Sequence, residues 1–112
     1  MNWNEYREEL LADMSAFEKL SPNVMAGLQQ VSEAGKTPRL DPKTRSLIAL
    51  ALAVTTRCEG CISVHAKNAA DRGATPEEVA EALGVAISLN AGAALVYSTR
   101  VLDAYSAAQR NE

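Results

Sequence analysis

The sequence predicts an all-α fold of about six helices. Apolar residues recur at steps of three and four along most of the chain, which is the spacing of one face of a helix. Three predicted helices begin with a polar residue followed by proline, at Ser21-Pro22, Asp41-Pro42 and Thr75-Pro76. No stretch shows a convincing strand pattern. Together these observations favour a helical domain in which small side chains fill the contacts between helices.

The first two helices are predicted to form an N-terminal pair. The second begins with Ser21 as its cap and Pro22 in its first turn, and Gly35 ends it. Residues 36–40 follow as a loop. The first helix carries a single apolar stripe of Trp3, Tyr6, Leu10, Met14, Phe17 and Leu20.

The third helix is predicted to run from Asp41-Pro42 to about Thr56. It is apolar on every face between Leu47 and Val54, and a helix of this kind is buried on more than one side. We therefore expect a neighbouring subunit to cover part of it. A buried strand is the alternative for this run, but Ala and Leu stand where a strand would favour Val or Ile.

The fourth helix is predicted to begin at about Cys58 and to end at Arg72. Gly73 can supply the left-handed turn that follows a helix. Thr75, followed three residues later by Glu78, then matches a capping box for the fifth helix. The residues Asn90-Ala91-Gly92 are predicted to interrupt that helix, so that a sixth continues beyond them.

Length and charge narrow the possible functions. The 112 residues are predicted to form one domain, with the helical pair at 1–36 and the core at 41–108. The net charge of −3 is spread without a basic stripe, which argues against nucleic-acid binding. The start of the chain does not resemble a secretion signal, and the run 47–54 is shorter than the ~20 residues of a membrane span. We therefore expect a cytoplasmic protein without membrane contact, whose cysteines are mostly reduced at rest.

The chemistry of the sequence is concentrated at Cys58, Cys61 and His65. Spacings of three and four residues place these side chains on one face of a helix. There the thiols can form a disulfide and the imidazole can exchange a proton with Cys61. The unpaired N–H groups of a helix N-terminus also favour the reactive thiolate. The spacing thus predicts a nucleophile, a resolving thiol and a proton carrier, and no cofactor.

Two simpler interpretations stay open. The same three residues could form part of a zinc site, although the chain has no third cysteine and no second histidine to complete it. They could also be passive core residues, since cysteine is often a small buried hydrophobe. A thioredoxin-like fold is set aside because it needs strands around the motif.

Four segments of residues 42–97 match a known family in the same order and with the same gaps: 42–50 (PKTRSLIAL), 57–66 (RCEGCISVHA), 73–79 (GATPEEV) and 81–86 (EALGVA). By these segments the chain resembles the AhpD-like, or carboxymuconolactone decarboxylase, superfamily. The resemblance implies a helical protein that forms trimers or hexamers. It also implies one of two redox activities. The protein would either reduce peroxides itself, with electrons from a thiol or dithiol donor, or pass electrons to a partner peroxidase. Members that decarboxylate a lactone lack the paired cysteines.

The resemblance also implies roles for the three residues of the motif. Cys61 would attack the peroxide, Cys58 would resolve the product into a disulfide, and His65 would relay the proton. The family's redox members carry Glu twelve residues before the first cysteine, where this chain has Ser46. A hydroxyl can pass a hydrogen bond along but cannot hold a proton as a carboxylate does.

This departure leaves two hypotheses for the function. In the first, the protein is a thiol peroxidase or disulfide oxidoreductase, and another acid completes the relay. The candidates on neighbouring helices are Glu33, Glu78 and Glu81. In the second, the protein turns over little and acts as a redox-sensing or binding module, because Ser46 replaces the relay carboxylate.

Overall fold

The computed structural model describes residues 1–110, and these fold into helices joined by short connections. No strand occurs among them, which confirms the predicted all-α class. The helices are α1 (Trp3–Leu20), α2 (Pro22–Ala34), α3 (Pro42–Thr56), α4 (Glu59–Asp71) and α5 (Pro76–Gln109).

The helix starts follow the capping residues of the sequence. The Asp41 side chain accepts a hydrogen bond of 2.7 Å from the Thr44 N–H at the start of α3. At the start of α5, Thr75 and Glu78 form both bonds of the predicted capping box, at 3.1 and 2.9 Å. Ser21 differs from the prediction, because its side chain makes no cap bond. It is the single residue between two helices, and its N–H donates to the Phe17 carbonyl of α1 at 2.8 Å.

The predicted break at residues 90–92 is wrong, because α5 is one continuous helix of 34 residues. The side-chain amide of Asn90 donates to the Ala86 carbonyl of the same helix at 2.8 Å and to the Thr55 hydroxyl of α3 at 2.9 Å. A glycine inside a helix costs only about 1 kcal/mol relative to alanine. Gly92 therefore does not end the helix, because good helix formers, alanine and leucine, surround it. Residues 1–110 contain five helices instead of the predicted six.

Helix α3 lies at the centre of the packing. Helix α4 and the first part of α5 pack against it, α1 packs against α4, and α2 packs against α1 alone. The buried residues are mostly small, as the aromatic-poor composition predicts, which allows the helices to approach closely. They are Ser46, Leu50, Ala53, Ser63, Ala69 and Ala86.

Large parts of the chain have no neighbour to pack against. Residues 87–105 of α5 are all exposed, and so are Val24, Leu28 and Val31 of α2. The radius of gyration is 19.2 Å, against about 13 Å for a compact chain of this length. The accessible surface is 8707 Å², against roughly 6,000 Å² for a compact protein of this mass. The surplus apolar surface includes Ile48 and Leu52 of α3, the helix predicted to need a neighbour.

Helix α5 is also long and apolar enough to cross a membrane, judged by length and composition, and no other helix of residues 1–110 is. This segment is less evident in the sequence than the uninterrupted run 47–54, because serine, asparagine and glycine interrupt it. The feature is weak evidence for a membrane span, since a core helix of a soluble protein passes the same test.

Candidate functional site

The two cysteines lie at the N-terminus of α4 and are joined by a disulfide. Their Cα atoms are 5.2 Å apart, as expected for residues one helical turn from each other. Cys58 is the N-cap residue, and its sulfur accepts a hydrogen bond of 3.2 Å from the Cys61 N–H. The sulfur of Cys58 therefore occupies the position where a capping oxygen stands in most helices.

A sharp turn between α3 and α4 places Cys58 there. Arg57 ends α3 in the left-handed conformation with a φ of 54°, and the Cys58 N–H donates to the Ala53 carbonyl at 3.0 Å. Within residues 1–110, Arg57 is the one non-glycine residue with positive φ. The left-handed conformation costs most residues roughly 1–2 kcal/mol. The sequence could not reveal this turn, because glycine and asparagine are its usual signals.

Helix α1 covers the first turn of α4 and explains Gly60. A Cβ atom at Gly60 would lie 2.9 Å from Cδ2 of Leu10, so the absence of a side chain lets the two helices touch. Next to this contact, Arg7 of α1 donates to the Ser63 carbonyl of α4 at 3.3 Å. Arg7 could not be identified from the sequence, because one arginine on a helix surface gives no signal of its own.

His65 lies one turn beyond Cys61 on α4 and is half-buried. Burial lowers the pKa of His65 below its ordinary value of 6.5, and the positive charge of Arg72 lowers this pKa further. Both effects favour the neutral imidazole, which is the form that can accept a proton.

Ser46 is 1% exposed and faces the end of α4. Its hydroxyl is 2.7 Å from Nη1 of Arg72, which donates to it, and the same nitrogen donates to the Pro42 carbonyl at 3.2 Å. The position flagged in the sequence is thus part of the α3–α4 contact, and its partner is a cation. Sequence reasoning missed Arg72 because no local pattern links positions 46 and 72.

The three candidate acids are engaged elsewhere or lie apart from His65. Glu33 lies on α2, which packs against α1 alone, and it pairs with Lys36 at 3.0 Å. Glu78 accepts the Thr75 N–H and pairs with Lys43 at 2.8 Å. Glu81 borders a shallow hollow between α3 and α5. The charged group that shifts the pKa of His65 is Arg72.

Apolar hollows flank α4 on two sides. One of about 370 Å³ lies between α3, α4 and α5, and another of about 440 Å³ lies between α1 and α4. Both reach Ala66, the residue after His65. Within residues 1–110 no cluster of three potential metal ligands is present.

Comparison with known proteins places these features in a family. The sequence model of the carboxymuconolactone decarboxylase family matches residues 22–104. An uncharacterized protein from Haemophilus influenzae is 48% identical over 106 residues, which is 94% of each chain. A second relative, uncharacterized protein 4 in the cox locus of Paracoccus denitrificans, is 44% identical over 63 residues, or 56% of this chain and 57% of that one.

Two solved structures are also similar to this chain, and one of them is of a protein in the same family. The crystal structure of a carboxymuconolactone decarboxylase family protein from Legionella pneumophila matches with a TM-score of 0.73 and 34% identity. The match covers 93% of this chain and 94% of that chain. A protein from Methanobacterium thermoautotrophicum matches with a TM-score of 0.68 and 30% identity, over 76% of this chain and 97% of that one.

Proposed function

The chain belongs to the carboxymuconolactone decarboxylase family, and on that premise we propose that it is a thiol-dependent peroxidase or disulfide oxidoreductase. The observation that carries the proposal is the Cys58–Cys61 disulfide on the first turn of α4, with His65 one turn further along the same helix. A nucleophile, a resolving thiol and a proton carrier are thereby combined in eight residues.

In the first step of the proposed cycle, the Cys61 thiol gives its proton to His65 and its sulfur attacks the peroxide. The O–O bond breaks, the sulfur becomes a sulfenic acid, and the departing oxygen takes the proton as an alcohol or water. The hollows beside Ala66 suit the apolar part of an organic hydroperoxide. No metal or cofactor takes part in this step.

In the second step, Cys58 attacks the sulfenic sulfur of Cys61, releases water and closes the disulfide. The Cys61 N–H that bonds to the Cys58 sulfur favours a sulfur anion at this position, which suits an attacking thiolate. A dithiol donor or partner protein then takes over the disulfide by exchange and returns both cysteines to thiols.

A peroxide-consumption assay with dithiothreitol as donor tests the proposal. The wild type should turn over repeatedly with the donor, Cys61→Ser should consume no peroxide above the buffer rate, and Cys58→Ser should consume only one equivalent when the donor is left out. Equal rates for wild type and Cys61→Ser would refute a role for the thiol.

A redox-sensing module is the second candidate, and the Ser46–Arg72 pair favours it because serine stands where the family's relay carboxylate is expected and its hydroxyl bonds to a cation. A sensor would lose two thiols on adding one equivalent of peroxide but would recycle slowly with dithiothreitol. A peroxidase would recycle in the same assay.

We also propose that the protein is a cytoplasmic homo-oligomer, with a trimer or hexamer expected from the family. The support is the surplus of roughly 2,700 Å² of accessible surface over a compact chain, far above the ~800 Å² per partner of a standard interface. Light scattering should return a multiple of 12.0 kDa.

A further inference from the structure

Ser46 and Arg72 tie the end of α4 to the start of α3. Ser46 is almost fully buried, and Arg72 donates to its hydroxyl at 2.7 Å and to the Pro42 carbonyl at 3.2 Å. The guanidinium keeps its charge at every pH of interest. The two bonds therefore fix a permanent positive charge at the C-terminal end of α4.

This charge lies on the same side of α4 as His65. Arg72 follows His65 by seven residues, which is about two turns of helix. Other charged groups on α4 and on the helices packed against it have partners of their own: Arg7 of α1 bonds to the Ser63 carbonyl, Lys67 pairs with Asp71 at 2.9 Å on an exposed surface, and Lys43 of α3 pairs with Glu78 of α5 at 2.8 Å. Glu59 lies in the first turn of α4, at the opposite end of the helix from Arg72. Helix α3 buries only uncharged residues, namely Ser46, Leu50 and Ala53.

We propose that Arg72 is a positioning residue of the dithiol site, anchored by Ser46 and acting through His65. Its fixed positive charge keeps the resting imidazole free to accept a proton and makes the imidazolium readier to release it. In the proposed cycle this proton comes from Cys61 and goes to the departing peroxide oxygen. That last assignment rests on the proposed function, whereas the coupling of Arg72 to His65 does not.

Arg72 also has a structural role, because it joins two helices and a cation suits a helix C-terminus. A loss of stability in a variant would therefore not distinguish the two roles. The titration of His65 does distinguish them, and it can be followed without overlap because this is the single histidine of the chain.

The test is a proton NMR titration of His65 in the oxidised full-length protein, where no thiol couples to the imidazole. Arg72→Gln should move the midpoint upward, towards the ordinary histidine value. Ser46→Ala, which removes the shorter of the two bonds that hold the guanidinium but keeps its charge, should move it in the same direction by less. Arg72→Lys should restore part of the wild-type midpoint.

Arg7→Gln is the matched control, since it removes an equal charge from another arginine that bonds to α4. It should leave the midpoint where it is in the wild type. A midpoint unchanged in Arg72→Gln, or moved equally by Arg7→Gln, overturns the proposal. If circular dichroism shows that Arg72→Gln does not fold, Ser46→Ala decides, and an unchanged midpoint there overturns it as well.

Peroxide turnover separates this proposal from the proposed function. In reduced Arg72→Gln, the acid limb of the rate profile should move to higher pH, as the His65 midpoint does. A shifted titration in a protein whose wild type shows no turnover would refute the peroxidase and leave the coupling intact. Turnover with an unshifted titration would refute the coupling alone.

Discussion

The contact between α3 and α4 differs sharply from the outer parts of the chain. This seam, made of Ser46, Leu50, Ala53 and Ala69, is buried within a single chain, and the adjoining dithiol is half-buried. The arms, namely the α1–α2 pair and residues 87–105 of α5, expose apolar side chains along most of their length. One chain therefore positions the whole Cys58–Cys61–His65 group but leaves much of its apolar surface without a partner.

The difference shows that a single chain is enough to form the helices but not to bury all of their apolar faces. Local spacing and caps are enough to define each helix, including the long α5. A helix gains most of its stability from packing an apolar face, however, and most of the apolar surface of the arms has nothing to pack against within residues 1–110. We therefore expect the seam to respond to substitutions of single residues and the arms to respond to protein concentration.

Charges introduced into the arms should have the largest effect, which is the loss of the oligomer. Leu95 and Leu102 lie two turns apart on one face of α5, and both are exposed in the single chain. Leu95→Glu combined with Leu102→Glu should reduce the molar mass by light scattering to that of one chain, because the charges could not be buried against a neighbour.

Asp103→Lys is the control for this experiment, because it changes the charge on the same helix at an already polar position. It should retain the assembly. A wild type that is already monomeric at micromolar concentration would contradict the proposed oligomer and leave the exposed arms without an explanation.

A leucine truncation in the seam should have the next largest effect, which is a loss of free energy of unfolding. Leu50 is 7% exposed, and replacing a buried leucine by alanine costs about 2–5 kcal/mol. We expect Leu50→Ala to lie towards the lower end, since Leu50 already borders the 370 Å³ hollow. Urea unfolding should show this loss at every protein concentration.

Leu102→Ala is the matched truncation in an arm, at a residue that is 65% exposed in the single chain. Its loss of stability should depend on protein concentration, because it arises from the contact with another copy. A concentration-independent loss as large as that of Leu50→Ala would show that the arm is packed within its own chain.

The sequence predicted the local features of the seam better than the contacts between its helices. The spacing of Cys58, Cys61 and His65 and the caps at Asp41 and Thr75 are local signals, so they could be found without a structure. The Arg72–Ser46 bond joins residues 26 positions apart, and Leu10 reaches Gly60 from another helix. Such contacts depend on how helices pack, which spacing within one helix does not specify.

Ser46→Glu should lower the free energy of unfolding by less than Leu50→Ala does, and it tests the contact between position 46 and Arg72. The longer side chain crowds a buried position, which costs about 1–3 kcal/mol, but Arg72 is placed to pair with the new carboxylate. We therefore expect no new ionisation near neutral pH in the peroxide-rate profile, because a paired carboxylate stays charged.

Ser46→Gln is the control, since it has the same size without the charge. Urea unfolding should find it less stable than Ser46→Glu, because it cannot form the ion pair with Arg72. A Gln variant as stable as the Glu variant would mean that Arg72 does not hold the carboxylate. A rate gain with a new ionisation near neutral pH would lead to the same conclusion.

The smallest effect we predict is a dependence of stability on pH that arises in the seam alone. The arms contain no histidine, so His65 is the side chain expected to titrate near neutrality. Its pKa is lowered in the folded protein by burial and by Arg72, whereas the unfolded chain has the ordinary value of 6.5. Below that value the unfolded state binds the proton more readily, so the free energy of unfolding should fall as the pH drops.

The measurement is urea unfolding of the oxidised protein between pH 8 and pH 5 at fixed protein concentration. The free energy of unfolding should be highest above the unfolded pKa of His65 and decline until the folded pKa is passed, and His65→Gln should flatten this decline. Asp41 and Glu78 do not interfere, because their pKa values are lowered from 3.8 and 4.5 by the Thr44 N–H and by Lys43, respectively. Their stabilisation is lost only at more acidic pH. Stability that rises on acidification in the wild type would show that the folded state binds the proton more tightly. Such a result would contradict the lowering of the His65 pKa by burial and by the charge of Arg72.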